Sequence, residues 1–173
     1  MKKLLLLIAF ISISFYNLKA QETTKIWIVR HAEKATIDTE NKDPELTDKG
    51  LTRAWDLNNY LQKEKINKLY ATNFFRTRQT LQPLASTFSL DIDIYKDNDA
   101  LIKKIKALKG NNNIVVAGHS NTVIKLVKDL GATINVDTLT EADYDYIFLV
   151  TIKGDEVKLK TKHFGAKHHI TKL

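Results

Sequence analysis

Histidine and arginine side chains follow three short apolar runs in this sequence. Arg30 and His31 come directly after the run Lys25–Val29, His119 ends a later run, and Arg76 follows a third. A neutral imidazole is a nucleophile near pH 7, and a guanidinium group offers planar donors that stay charged at any working pH. These side-chain types are suited to bind a phosphoryl group and to accept it on a histidine nitrogen. Each residue alone is compatible with a structural role, so the inference depends on their combination.

Binding of one phosphoryl group requires these four residues to lie close together. Whether they do depends on the strands and helices that position them. Apolar runs rich in β-branched residues predict buried strands, and amphipathic stretches between them predict helices. The strands are predicted at 25–29, 68–72, 92–95, 114–117, 146–152 and 157–161. Their alternation with helices predicts a single three-layer α/β/α domain with a mainly parallel central sheet and an antiparallel edge strand. Because ligands bind where the strands of such sheets end, the histidines and arginines are expected at one edge.

Two predicted helix starts bear on the site. Thr47 is the expected N-cap of the first helix, and Asp99 can cap the third. The second helix is predicted from Phe75 to Phe88, with Pro83 as an internal irregularity. The buried face of the first helix is expected to carry the residues at helical spacing, which are Leu51, Ala54, Trp55, Asn58 and Leu61.

Composition excludes several kinds of site. The 173 residues include no cysteine, which excludes a disulfide scaffold, a cysteine nucleophile, an iron–sulfur cluster and a Cys-based zinc site. The formal charge is +7, from 27 Lys and Arg against 20 Asp and Glu. A basic chain of this kind suits an anionic substrate, and we do not expect nucleic acid as a partner.

The first twenty residues have the layout of a secretory signal peptide. A basic start at Met1–Lys3 precedes the apolar stretch Leu4–Ile13, and cleavage is expected after Ala20. The chain is therefore divided into a signal peptide over 1–20 and one domain over 21–173. An uncleaved membrane anchor is the alternative, although the apolar stretch is short for a bilayer span. We expect a periplasmic or secreted protein with no stable membrane insertion after cleavage.

Four motifs, in order, carry a resemblance to a known family. They are Val29-Arg30-His31-Ala32-Glu33-Lys34, Leu46-Thr47-Asp48-Lys49-Gly50, Thr72-Asn73-Phe74-Phe75-Arg76-Thr77-Arg78-Gln79-Thr80 and Gly118-His119-Ser120-Asn121-Thr122. Together they resemble the motifs of the histidine phosphatase superfamily, in its phosphoglycerate-mutase-like branch, and the chain looks like a small exported bacterial member. The resemblance covers essentially all of residues 25–152 and is specific because of the order of the four motifs, not because of the first Arg-His pair.

The resemblance implies a role for each of these residues. His31 is the implied nucleophile, Arg30 and Arg76 bind the phosphoryl group, and His119 completes the phosphate pocket. Thr72 stands where the family commonly has serine, and it keeps the hydroxyl as a candidate for substrate binding. No metal and no other cofactor is expected, because the arginines and histidines already neutralise the phosphate.

The acid that protonates the leaving oxygen is the open assignment. The resemblance implies an acidic residue between the second arginine and the second histidine, where Asp99 is the candidate and Asp97 the alternative. Ser120 stands where one branch of the family has an aspartate. Asp143 and Asp145, before a late strand, are further candidates.

Three polar residues next to the predicted catalytic histidines have two interpretations each. Asn121 is a candidate for substrate binding that either holds His119 or a phosphate oxygen, or caps the helix. Glu33 and Lys34 either line the mouth of the pocket or are surface charges.

The C-terminal stretch is basic and contains three of the five histidines. A solvated edge strand followed by a frayed tail is the expected structure, and docking to an anionic surface is the alternative. His168 and His169 could bind a stray metal ion, but adjacent residues in a tail do not make a designed site.

The sequence therefore predicts a metal-independent phosphatase that hydrolyses phosphomonoesters through a phosphohistidine on His31. Only 43 positions separate Arg76 from His119, and regular elements use most of them. This leaves little chain for a lid and disfavours a phosphoglycerate-type mutase. The other alternative is a non-catalytic phosphate-binding or interaction module on the same fold. The expected partner is a phosphorylated small molecule, glycolipid or phosphoprotein.

Overall fold

The computed structural model describes residues 21–36 and 40–173. The predicted signal peptide over 1–20, with its cleavage after Ala20, lies outside the described residues. Among the residues that are described, no helix is both long enough and apolar enough to cross a membrane.

Six strands and four helices alternate along the described chain. The strands are β1 (Thr23–Arg30), β2 (Lys68–Ala71), β3 (Ile92–Ile94), β4 (Asn112–Gly118), β5 (Tyr146–Lys153) and β6 (Glu156–His163). The helices are α1 (Asp48–Leu61), α2 (Phe75–Phe88), α3 (Asn98–Ala107) and α4 (Ser120–Asp129). Each predicted strand and helix is present, with its ends moved by a few residues at most.

The six strands form one sheet in the order β3-β2-β4-β1-β5-β6. The first four strands along the chain run parallel, whereas β5 is antiparallel to β1 and forms a hairpin with β6 at the sheet edge. β1 therefore has a partner on each side, with Val29 opposite Ala117 of β4 and Ile147 of β5. The predicted fold class, α/β with a mainly parallel sheet and an antiparallel edge, is confirmed.

Both faces of the sheet are covered because successive strand residues point to opposite sides. Ile26 and Ile28 of β1 pack into one core with residues of α3 and α4. Trp27 and Val29 pack into a second core with residues of α1 and α2. The continuous apolar run of β1 is thus the pattern of a strand that is buried on both faces.

Helix α1 begins at the predicted residue but buries a different face. Thr47 is its N-cap and accepts a backbone N–H in the first turn. Leu51 and Trp55 are 44% and 56% exposed, so their predicted place in the core is wrong. Arg53 lies inside instead and donates two hydrogen bonds of 2.8 Å to the Glu33 carboxylate. Glu33 is therefore buried in an ion pair and is not a surface charge.

Helix α3 is capped two residues earlier than predicted. The Ala100 N–H donates to Asp97 Oδ1 at 2.8 Å, which makes Asp97 the N-cap. Asp99, expected as a possible cap, lies instead within the first turn, where its negative charge interacts favourably with the helix dipole. Asp97 ends the extended segment after β3, and the helix starts directly behind it.

The segment beyond β6 is docked against the protein, so the predicted frayed tail is wrong. Asp143 Oδ1 accepts the backbone N–H groups of Ile170 and Thr171 at 2.9 and 3.0 Å. Asp145 Oδ2 accepts the N–H of His168 at 3.0 Å. Both carboxylates are buried, and they supply acceptors for tail N–H groups that extended chain alone leaves unpaired.

Candidate active site

His31 stands at the carboxyl end of β1, next to the end of β4. Its backbone N–H donates to the Gly118 carbonyl at 2.9 Å, which extends the pairing of the two strands. Its ring Nδ1 lies 2.8 Å from the Ala32 carbonyl oxygen. Because a carbonyl can only accept, Nδ1 carries the proton, and in the neutral ring the lone pair is on Nε2.

The imidazole of His31 is uncharged at neutral pH. Burial lowers its pKa from 6.5 to about 3, although the hydrogen bond to Ala32 acts in the opposite direction. The positive charge of Arg30 lowers this pKa further, and so do His119 and Arg76. The Nε2 lone pair is therefore available for attack on an electrophile across the neutral pH range.

His119 is the N-cap residue of α4, and hydroxyl groups hold its ring. His119 Nε2 lies 3.0 Å from Thr72 Oγ1, which lies 3.1 Å from Thr77 Oγ1. The hydroxyl of Thr77 donates its one proton to the carbonyl of Thr72 or Phe74. The Thr72 hydroxyl must then donate to Thr77 and accept from His119, which places a proton on Nε2.

The two catalytic-candidate imidazoles lie edge to face, with ring centroids 5.5 Å apart. Burial lowers the pKa of His119 from 6.5 to about 4. Arg76 and Arg30 lower this pKa further, whereas Asp43 acts in the opposite direction. The pocket thus combines two neutral rings with two cationic groups. A bound anion offsets the charge of the arginines and favours protonation of His119.

Arg30 ends β1, and only 2% of its side chain is exposed. Its guanidinium group lies over the Tyr144 ring, 4.1 Å from the centroid, and donates to the Tyr144 hydroxyl at 3.2 Å. It also donates to the Thr140 carbonyl and to the carboxylate of Glu141. Its buried Nε has no hydrogen-bond partner within the described residues. Such a donor fits an anionic ligand, since buried N–H groups are normally paired.

Arg76 approaches from the first turn of α2. Its guanidinium group stacks on Phe74 at 4.3 Å, and its Nη1 lies 3.4 Å from Asp43 Oδ1. Burial lowers its pKa, an effect that Asp43 opposes, and the group nevertheless remains charged. Its Nε is also buried without a partner in the part of the chain that the structure describes. Both candidate phosphate-binding arginines therefore have an unpaired donor.

The loop after β1 is held by contacts with two helices. Asp43 Oδ1 accepts the Phe75 N–H at 2.9 Å and so joins the loop to the start of α2. Gly50 of α1 lies so close to the loop that a Cβ atom there would be 2.2 Å from the Glu33 carbonyl oxygen. The motif that contains Gly50 thus positions the chain behind the nucleophile and does not contact the pocket through a side chain.

The predicted site residues divide into those that meet in one pocket and one that lies outside it. The structure brings together five of them, namely His31, Arg30, Arg76, His119 and Thr72. Asn121 is exposed in the first turn of α4, and it is not the helix cap, because His119 takes that position.

The candidate acids occupy three environments. Asp97 and Asp99 line a cavity of about 250 Å³ that Thr72 also lines. Asp97 is engaged as the cap of α3. Asp143 and Asp145 bind the C-terminal segment and are occupied by its donors. Asp97 and Asp99 are both exposed, and of these two Asp99 is the one that does not cap a helix.

Sequence reasoning missed Tyr144 and Glu141, which both contact Arg30. The Tyr144 ring also lies 6.1 Å from the His31 ring, and its hydroxyl donates to Glu141 Oε2 at 2.6 Å. Burial raises the pKa of Tyr144, and the bond to Glu141 raises it further. The available signal was strand direction, because an antiparallel β5 beside β1 brings the residues before β5 to the end of β1.

Comparisons with known proteins give a family match over part of the chain and a shared fold. Residues 26–99 match the family model of the histidine phosphatase superfamily, branch 1. This range includes His31 and Arg76 and ends before His119. No curated protein matches the sequence.

Two solved structures illustrate the shared fold. The protein histidine phosphatase SixA, complexed with tungstate, is 21% identical with a TM-score of 0.66, and the match covers 80% of this chain and 96% of that one. A mycobacterial glucosyl-3-phosphoglycerate phosphatase is 11% identical with a TM-score of 0.62, and the match covers 84% of this chain and 100% of that one.

Proposed function

We propose that the chain is a member of the histidine phosphatase superfamily and a metal-independent phosphatase that hydrolyses phosphomonoesters through a phosphohistidine on His31. The observation that carries the proposal is the state of His31. Its ring is buried and uncharged, its Nδ1 proton is held by the Ala32 carbonyl, and two guanidinium groups act on it electrostatically.

Binding of the phosphoryl group uses Arg30 and Arg76. Each has a buried Nε without a hydrogen-bond partner among the described residues, and each is shielded from water on one face by an aromatic ring. Charge-assisted hydrogen bonds to phosphoryl oxygens are strong in such a partly desolvated pocket. The two arginines neutralise the charge that spreads over these oxygens during transfer, without a metal ion.

Transfer takes place in two steps. In the first step His31 Nε2 attacks phosphorus, the N–P bond forms, and the P–O bond to the leaving alcohol breaks while that oxygen takes a proton. In the second step water attacks phosphorus and returns a proton to the acid that donated one in the first step, the N–P bond breaks, and inorganic phosphate leaves His31 neutral again. The covalent intermediate thus divides one difficult displacement into two easier ones.

His119 supports both steps as a donor to a phosphoryl oxygen. The Nε2–H that Thr72 accepts in the free pocket is the donor proposed for a phosphoryl oxygen. The His119 side chain also accepts the backbone N–H of Thr122 in the first turn of α4, which leaves Nε2 as the nitrogen that donates. A hydrogen bond from this ring stabilises the charge that develops on the oxygen.

Asp99 is the proposed acid for the leaving oxygen, with Asp97 as the alternative. Asp99 lies exposed in the cavity next to Thr72, while the Asp97 carboxylate caps α3. We expect Asp99→Asn to lower kcat about 100-fold on a substrate with a poor leaving group, since general acid catalysis contributes at least that much. Asp97→Asn is the matched control, because asparagine also caps helices and should leave kcat unchanged. Equal kcat values for both variants and the wild type would remove Asp99 from the mechanism.

The substrate is proposed as a phosphorylated small molecule, glycolipid or phosphoprotein outside the cytoplasm, where the predicted signal peptide directs the chain. SixA is named as a protein histidine phosphatase, and the mycobacterial relative as a phosphatase of glucosyl-3-phosphoglycerate. The cavity beside Thr72 is lined by both acidic and basic residues, including Lys96 and Lys125. A panel of phosphate esters together with a phosphohistidine peptide distinguishes these substrate classes.

The decisive experiment compares the wild type with His31→Ala on para-nitrophenyl phosphate between pH 4 and 8, with EDTA present. We expect turnover by the wild type, a ³²P-labelled protein on acid-free quench, and a loss of at least about 1,000-fold in the variant. Turnover that survives the substitution contradicts the proposed nucleophile. Inhibition by EDTA contradicts metal independence.

Two other outcomes support the alternative functions. If neither protein turns over any phosphate ester, the non-catalytic phosphate-binding module is supported. Transfer of phosphate between two hydroxyls of one substrate supports a mutase.

A further inference from the structure

Two imidazoles and one carboxylate converge where β5 begins and β6 ends. His163 Nδ1 lies 3.3 Å from Asp145 Oδ1, and His169 Nδ1 lies 2.7 Å from Asp145 Oδ2. The two rings are stacked with centroids 4.1 Å apart. We propose that Asp145, His163 and His169 form a binding site for a divalent transition-metal ion such as Zn²⁺, outside the catalytic pocket.

The charge of Asp145 favours a cation at this position. Only 2% of its side chain is exposed, and within the described chain its ion-pair partners are the imidazoles of His163 and His169. A carboxylate that is removed from water requires compensating positive charge. A divalent ion supplies both ligation and positive charge to this carboxylate.

The spacing of the ligand atoms suits a tetrahedral ion. With bonds of about 2.0–2.1 Å, ligand atoms around tetrahedral Zn²⁺ are about 3.3 Å apart. The pair His163–Asp145 already has this separation, and all three ligand atoms lie within 4.8 Å of one another. Small shifts of the His169 ring complete the arrangement. Nitrogen-rich sets of this kind favour Zn²⁺ and its first-row neighbours over Mg²⁺.

In the present hydrogen bonds Nδ1 of each ring carries the proton that the Asp145 carboxylate accepts. On metal binding this proton leaves Nδ1, the ring carries its proton on Nε2, and the Nδ1 lone pair binds the ion. The side chains of His163 and His169 are 44% and 25% exposed, so water reaches the fourth position. The N–H of His168 holds Asp145 Oδ2 at 3.0 Å and orients the carboxylate from behind.

An ion at this place joins three separate parts of the chain, namely the start of β5, the end of β6 and the docked tail. Because the unfolded chain does not hold these ligands together, metal binding stabilises the folded protein. The same tail places His168 against Tyr144, with ring centroids 5.3 Å apart.

Calorimetry and thermal unfolding of the full chain, without an affinity tag, test the site with Zn²⁺ as the probe. We expect one Zn²⁺ per chain, a higher Tm in its presence, and no comparable effect of Mg²⁺. His163→Gln and His169→Gln should each weaken Zn²⁺ binding by about 100-fold or more, since even supporting residues of metal sites contribute 10–100-fold. Bound Co²⁺ should give the visible absorption of a tetrahedral site.

Substitutions of two other histidines provide the controls. His168→Gln removes the imidazole next to His169 and keeps all three ligands, and His31→Gln removes a catalytic-pocket imidazole. Both variants should bind Zn²⁺ as the wild type does. The proposal is overturned if the wild type does not bind Zn²⁺, if binding is unchanged in His163→Gln and His169→Gln, or if His31→Gln abolishes it. The readout is binding and not turnover, so the result is independent of the proposed phosphatase activity.

Discussion

The carboxyl end of β1 and the anchor of the C-terminal tail are neighbouring regions with opposite electrostatic designs. At the end of β1, Arg30 and Arg76 surround neutral imidazoles, and both arginines keep an unpaired Nε within the described chain. At the anchor, Asp143 accepts hydrogen bonds from Thr140, Ile170 and Thr171. The first region offers donors to the proposed anionic ligand, whereas the carboxylate in the second region is satisfied by the chain itself.

Tyr144 belongs to both regions. Its ring lies under Arg30, while its backbone N–H donates to the His168 carbonyl at 2.9 Å. It stands between Asp143 and Asp145, the two anchoring carboxylates. The packing of Arg30, the proposed phosphate-binding residue, therefore depends on how firmly the tail is bound to Asp143 and Asp145.

The largest expected effect is a loss of stability in acid that arises from the catalytic pocket. The folded pKa values of His31 and His119, about 3 and 4, lie below 6.5, so the unfolded chain binds more protons than the folded one in this window. The free energy of unfolding should therefore fall by several kcal/mol as the pH drops from about 6.5 to about 3. Urea unfolding at pH 7 and at pH 4.5 measures this difference in the free energy of unfolding.

The substitution His31→Gln sharpens this first prediction. It removes one buried imidazole, so the difference in stability between the two pH values should shrink. An equally steep pH dependence in the variant would assign the acid loss to the tail carboxylates instead. The hydrogen bonds from Thr140 and Thr171 outweigh burial and lower the pKa of Asp143, so its contribution is also lost on acidification.

Arg76→Lys should cost about 3–4 kcal/mol of transition-state stabilisation, which is a loss of 10²–10³ in kcat/KM. Lysine keeps the charge but loses the planar guanidinium group with its unpaired Nε. Arg78→Lys is the control on the same helix, since Arg78 bonds to Asn73 and stacks on Phe75. Steady-state kinetics on para-nitrophenyl phosphate measures both. Equal losses in the two variants would contradict a direct role for Arg76.

Asp143→Asn should lower the free energy of unfolding by about 2–3 kcal/mol, because an amide cannot accept all the hydrogen bonds that the buried carboxylate accepts. Chemical denaturation at pH 7 measures this loss. The matched control is Asp137→Asn, whose side chain is 96% exposed, and it should change stability little. A stable Asp143→Asn protein with an undocked tail, detected by hydrogen exchange of residues 164–173, would separate docking from global stability.

The smallest effect is expected for Glu141→Gln. The Glu141 carboxylate bonds to Arg30 and is 70% exposed, so it competes weakly with a phosphate for that guanidinium group. Neutralising it should strengthen inhibition by inorganic phosphate about 2–5-fold, in line with an exposed ion pair. Competition assays with phosphate measure this change, and weaker inhibition would show that Glu141 helps to hold Arg30 in place.

Sequence patterns predicted the parts of the fold that apolar periodicity controls. β1 and β4 are buried on both faces, so their apolar runs end where His31 and His119 begin, and the meeting of these residues followed from parallel pairing. The motif residues Arg30 and Arg76 were predicted for the same reason, since Arg30 ends a strand of this sheet and Arg76 follows one. Thr47 and helix α2 were also predicted correctly, because capping and helix propensity act locally.

Interactions between distant polar residues were not predictable in this way. Arg53 lies on the inner face of α1 only because Glu33, twenty positions earlier, accepts its hydrogen bonds. The tail docks only because Asp143 and Asp145 are buried opposite it. A periodicity rule treats all of these residues as exposed, and so it predicted a frayed tail and an apolar face with Trp55.

The place of β1 inside the sheet has a consequence for how the protein responds to a ligand. Backbone hydrogen bonds to β4 and β5 restrain β1 from both sides, so the residue at its tip starts from a rigid support. Adjustment around an incoming molecule therefore falls to residues 40–47 and 139–144, which include the contacts of Arg76 and Arg30. Slow amide exchange in β1, together with faster exchange in these two segments, is the expected dynamic signature of a fixed His31 beside segments that adjust.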